Sequence, residues 1–167
     1  MSADQPDRFL RRAGTGTLPD GWHVTWSVAE GARGRRWRWT VVSAAGLRHA
    51  GLVELDPERR FGRLELETAH AMLTLHPDPD PDPRSAHGNV VRPRGVDPVE
   101  IEWSHEDGLA IEDDPFGSAV AGWRGRGWVV DPDLQIRRDD VGNATALKLD
   151  ERGIPRLDDA REWPLET

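Results

Sequence analysis

The chain has 167 residues, a formal charge of −8 and no cysteine. That suits one domain with a genuine core and excludes disulfides, thiolate metal sites and a cysteine nucleophile. Residues 1–60 carry +3 and residues 61–167 carry −11, and the net negative charge argues against a nucleic-acid binder, because phosphate affinity needs a cationic excess.

The N-terminal stretch Met1 to Gly16 is polar, without the apolar core of a signal peptide, and no window approaches the roughly 18 uninterrupted apolar residues of a membrane span. A cytoplasmic protein, bound to neither membrane nor nucleic acid, is expected. Residues 1–20 read as an arm, or as a short helix over Gln5 to Arg12 that starts at Pro6. Trp22, Val24, Trp26 and Val28 then alternate with polar residues, and after a turn at Gly31 to Gly34 the pattern returns as Trp37, Trp39 and Val41. Two-residue periodicity of this kind makes half-buried strands, so the pair is read as a hairpin.

A second hairpin runs from Leu47 to Leu55 and from Phe61 to Thr68, joined by Asp56-Pro57-Glu58-Arg59-Arg60, whose first two residues suit a type I turn. Further strands are read at Ala71–His76, Val99–Trp103, Leu109–Ile111, Trp128–Val130, Leu134–Arg137 and Ala144–Leu149. Asp114 followed by Pro115 marks the start of a short helix over Phe116 to Trp123, which Gly117 and Gly122 weaken. Seven Asp-Pro pairs, beginning at positions 56, 78, 80, 82, 97, 114 and 131, punctuate the chain, since each proline biases the preceding aspartate away from helix. The fold class expected is mainly β: one domain over 1–167, an antiparallel meander forming a barrel or strongly curved sheet, with one or two short helices. A two-sheet β-sandwich is the alternative, because both place every second residue inside.

The Asp-Pro loop, residues 77–87, imitates a calcium loop through Asp78, Asp80 and Asp82. The imitation fails: the intervening prolines impose extended backbone, the sixth position is Pro83 instead of glycine and the twelfth is Asn89 instead of glutamate. His70 and His76 on one strand stand about 20 Å apart, too far to share an ion. His76 and His87 flank the loop and converge at its base beside Asn89, where a hydrogen-bonded anchor is the reading; no metal and no cofactor are expected. Ser118 follows a glycine but lacks the full nucleophile elbow, with Phe116 and Val120 where glycines belong. In Arg33 to Trp39, alternation puts Arg36 and Arg38 opposite the indoles, so cations and rings do not share a ligand.

The leading function is a non-catalytic binding protein for an apolar or aromatic small molecule, lipids included, in a cleft walled by Trp22, Trp26, Trp37 and Trp39, with His76 and Asn89 at the rim. The runner-up is a hydrolase or isomerase using His76, His87 and Asn89 with a carboxylate such as Glu102. A third class is a protein-interaction module that uses the acidic surface, or pairs it with the basic N-terminal third as a homo-oligomer.

Overall fold

A computed structural model describes residues 10–164. In chain order the elements are β1 (Leu10–Thr17), β2 (His23–Gly31), β3 (Gly34–Ser43), β4 (Gly46–Leu55), β5 (Phe61–Glu67), β6 (Met72–Pro77), β7 (Ser85–Arg92), β8 (Gly95–Glu102), β9 (Gly108–Ile111), α1 (Pro115–Val120), β10 (Gly127–Val130), β11 (Ile136–Asp139) and β12 (Asp158–Pro164). The first eight strands form an antiparallel meander, and β12 returns to pair with β1. The resulting nine-stranded sheet ends at β12 on one side and β8 on the other, so it does not close into a barrel. A separate three-stranded sheet has the order β11-β10-β9. No helix among the described residues is long and apolar enough to cross a membrane.

One face of the large sheet carries the core. Gly14, Trp26, Trp39, Gly51, Leu66, Leu73 and Val90 stand in register from β1 to β7. The adjacent row runs Val28, Trp37, Val53, Leu64, Leu75 and Gly88. Strict alternation sends these side chains to one side. Phe116 of α1, Leu109 and Ile111 of β9, and Val130 of β10 join the same buried cluster. Glycine at position 51 answers a packing demand, because a Cβ there would sit 2.3 Å from the Trp39 ring. Gly117 has the same role from the helix side, where a Cβ would lie 2.5 Å from Asp114 Oδ2 and 2.8 Å from Trp39.

Three sequence expectations are corrected. Residues 5–9 of the expected N-terminal helix lie outside the described residues, while Leu10 to Arg12 belong to strand β1. The small sheet is not wholly antiparallel: β9 and β10 run parallel with α1 between them, as a crossover connection requires. Ala144–Leu149 is not a strand, because its backbone has other partners. Asp139 Oδ2 accepts the Ala144 N–H at 3.0 Å, Trp123 Nε1 donates to the Ala144 carbonyl at 3.0 Å, and the Leu147 N–H donates to Pro115 O at 3.0 Å.

The Asp139 carboxylate also accepts from Val141 at 3.1 Å and Gly142 at 2.9 Å. These backbone donors, Ala144 foremost, hold its carboxyl below the ordinary aspartate range against the opposing effect of burial. Because the folded value is depressed, this contribution to stability is present above the ordinary pKa of about 3.9 and is lost as pH falls through the lower folded value. In urea unfolding series below about pH 4, Asp139→Asn should therefore show a shallower loss of stability on acidification than the parent chain. Parallel slopes would show that the loop carboxylate does not contribute.

Candidate functional site

The tryptophans named from the sequence fall in two environments. Trp37 and Trp39 are 1% and 2% exposed, and Trp26 is 5% exposed. All three surround Phe116, with ring centroids 6.4, 5.9 and 6.2 Å away for Trp26, Trp37 and Trp39, within the range of favourable aromatic pairing. Trp26 also reaches the edge of a cleft of about 400 Å³ beside residues 150–162. Trp22 precedes β2 instead of lying on it, and the Arg48 guanidinium sits 3.9 Å above its ring.

His76, His87 and Asn89 lie on the other face of the sheet. Their inward neighbours Leu75, Ala86 and Val90 are buried while His76 and Asn89 are exposed. The sheet therefore separates the imidazoles and Asn89 from the buried indoles. His76 and His87 do meet, paired directly across β6 and β7 with ring centroids 4.6 Å apart. Asp78 Oδ1 lies 2.9 Å from His87 Nδ1, and Asp78 Oδ2 accepts from Ser85 Oγ at 2.5 Å. The carboxylate stands between hydroxyl and imidazole, so Ser85 is not positioned as a nucleophile whose proton passes to His87. Glu102, exposed at the end of β8, pairs across the strands with Ser85.

A buried polar cluster joins residues that no local sequence pattern brings together. Asp114 is wholly buried and His49 is 5% exposed. Asp114 Oδ2 lies 2.6 Å from His49 Nε2 and accepts the Trp39 Nε1–H at 2.8 Å, while Oδ1 caps α1 by accepting the Gly117 N–H at 2.9 Å. A β-bulge brings His49 there: Val41 pairs with His49 and Val42 with Leu47, leaving Arg48 extra. An extra residue breaks strict alternation, so neighbours can serve one side. Arg48 donates to the Asp113 carbonyl and His49 meets Asp114. The cluster fastens sheet to helix, as does Ser118, whose Oγ accepts from Ile111 N–H at 2.9 Å and donates to Ile111 O at 3.1 Å.

A cleft of about 670 Å³ opens where the edge strand β8 hands the chain to the small sheet. Trp103, Trp128, Arg84, Arg126, Arg138 and Glu102 are among its walls. Trp103 follows β8, is 3% exposed and lies with its ring 5.1 Å from Phe61. Its backbone is fixed by an N–H bond of 2.9 Å to Arg84 O. Trp128 of β10 lies opposite Arg138 of β11, whose guanidinium is 5.4 Å from the ring. Arg138 is itself held by Asp107 at 2.9 Å and Asp140 at 2.7 Å. Among the described residues, the buried indole Nε1 atoms of Trp103 and Trp128 meet no hydrogen-bond acceptor. Leaving a buried donor unpaired costs about 1–3 kcal/mol, so two in residues that line one cleft form an unusual concentration. Arg84 and Arg126 form no ion pair among the described residues, so each adds a cation at the rim.

No family model, characterised protein or solved structure matches the chain.

Proposed function

We propose that this chain is a non-catalytic binding protein that holds an apolar or aromatic small molecule, bearing a hydrogen-bond acceptor, in the cleft between Trp103 and Trp128. The observation that carries the reading is that two tryptophans lining one cleft have buried indole N–H groups without acceptors. The volume, about 670 Å³, falls in the range of small-molecule sites. Indole faces suit a flat or apolar body. An acceptor such as a carbonyl or carboxylate satisfies the N–H groups once a shift of the rings opens them to it. Although Asp82, Glu102 and Asp107 balance the lining arginines in number, Arg84 and Arg126 form no ion pair among the described residues and can meet an anionic one.

Anilinonaphthalene sulfonate supplies both parts, an aromatic body and an anionic acceptor. Its fluorescence should rise on binding as tryptophan emission is quenched. Trp103→Phe and Trp128→Phe keep an aromatic ring and delete the N–H, so each should weaken binding about ten-fold or more. Each substitution also removes buried ring volume, so affinity is compared among variants whose unfolding transitions show them folded at the assay temperature. Trp163→Phe, on the far edge strand and 45% exposed, should leave affinity unchanged. Equal affinities for the parent, Trp103→Phe and Trp128→Phe would sink the reading.

A further inference from the structure

The outer face of the large sheet carries a row that the cleft does not use. His76 on β6, His87 on β7 and Glu100 on β8 stand in direct register across three neighbouring strands. The two imidazoles are 4.6 Å apart between centroids, with planes at 78°. Each ring has one nitrogen already engaged. His87 Nδ1 lies 2.9 Å from Asp78 Oδ1, and His76 Nδ1 lies 3.4 Å from the Pro77 carbonyl. A carboxylate can only accept, so Asp78 takes the Nδ1 side of His87 and leaves that ring's Nε2 as the nitrogen available to an ion. Asp78 is fixed in turn by Ser85, through its Oδ2 at 2.5 Å and through its backbone N–H to Ser85 O at 3.0 Å. Pro77 and Pro79 restrict the backbone on either side of it.

This is the outer arrangement of metal-ligating histidines, in which a carboxylate or carbonyl on the far nitrogen orients the ring and raises its basicity. Two imidazoles bound to one ion at about 2.0–2.1 Å bring their ring centres to roughly 4.5–5.2 Å for angles between square and tetrahedral. The observed separation lies in that interval. Among the described residues, no three histidine or carboxylate side chains are already gathered around one point, so side-chain rotation has to complete the site around the imidazole pair. Glu100 stands opposite His87 on the adjacent strand, where a change of rotamer brings its carboxylate within reach.

We infer that His76 and His87 bind a borderline divalent cation such as Zn²⁺ through their Nε2 atoms, with Glu100 as third ligand and solvent completing the shell. Nitrogen ligands select Zn²⁺, Ni²⁺ or Cu²⁺ over Mg²⁺ and Ca²⁺, which require oxygen. The ion clamps β6 to β7 at the base of the Asp-Pro loop. This inference is independent of the ligand cleft.

Calorimetric titration of the full chain with Zn²⁺ at about pH 7.5 should show one saturable site. Mg²⁺ should give no saturable heat. His76→Ala and His87→Ala should each abolish binding, and both variants should retain the parent's melting behaviour without metal, since His76 is exposed and the His87 side chain is 43% exposed. Asp78→Asn keeps the shape but removes the charge behind His87, and should weaken Zn²⁺ about ten-fold or more. Glu100→Gln should weaken it as well. His70→Ala should have no effect. Zn²⁺ binding that survives His76→Ala or His87→Ala would overturn the inference. So would an Asp78→Asn or Glu100→Gln affinity equal to the parent's, because the pair would then be an unsupported surface chelate.

Discussion

Asp114→Ala is expected to lower the unfolding free energy by about 3–5 kcal/mol, the range for removing one partner of a buried polar pair. Three donors converge on this wholly buried carboxylate: His49 at 2.6 Å, Trp39 at 2.8 Å and the Gly117 amide at 2.9 Å. Truncation strands all three in a site that water does not reach. A helix cap alone accounts for only about 1 kcal/mol, so the magnitude separates two roles. A loss near 1 kcal/mol in urea unfolding would make Asp114 a simple cap and would refute the clamp. In the cycle with His49→Ala, the double variant should be less unstable than the sum of the single losses, by about 0.5–3 kcal/mol for residues in contact. Arg63→Ala, at a surface ion pair with Glu65, should change stability by no more than about 1 kcal/mol.

The strands that announce themselves are those whose inner positions hold large apolar residues. Trp26 with Val28, Trp37 with Trp39, and Leu64 with Leu66 expose the two-residue period directly, and β2, β3 and β5 follow it. β1 and β7 go unread for one physical reason. Their inner positions include Gly14, Gly16, Ala86 and Gly88, left small because neighbours occupy the space. A Cβ on Gly14 would lie 2.5 Å from the Trp26 ring and one on Gly16 2.3 Å from Leu157. The groups that cover those backbones belong to other segments of the chain, so a local pattern cannot show them.

The site was legible to a lesser degree. The meeting of His76 and His87 follows from the hairpin that carries the Asp-Pro loop, and the sequence places both at its base. Asp114 is recognisable as a cap, but its contact with His49 depends on a bulge at Arg48, which alternation cannot anticipate. Trp103 and Trp128 come together through the parallel pairing of β9 with β10 across α1, a non-local arrangement. The tryptophan-rich hairpin reads as a ligand wall because its indoles are numerous. Their partner is Phe116, supplied from 77 positions beyond Trp39.

That partner gives the second large effect. Phe116→Ala should destabilise the chain by about 3–5 kcal/mol, the combined loss of transfer free energy and close contacts in a buried aromatic site. The upper part of the range is expected, because collapse into the void is opposed from both sides. Asp114 ties the start of α1 to Trp39 and His49, Ser118 ties its middle to both backbone groups of Ile111, and the sheet rows beneath are fixed in register. Against the 5–15 kcal/mol typical of a domain, the variant remains folded with a reduced denaturation midpoint. The space vacated among Trp26, Trp37 and Trp39 is apolar, and cavities of that kind stay dry and accept small aromatic molecules. Benzene or indole should therefore raise the variant's melting temperature in a concentration-dependent way, as ligand binding to the folded state requires. The parent chain, with Phe116 in place, should show no such rise from these rings. A parent response equal to that of Phe116→Ala, and unchanged by Trp103→Phe and Trp128→Phe, would mean that a ring-sized space already exists among the three indoles, and would return the ligand site to the first hairpin.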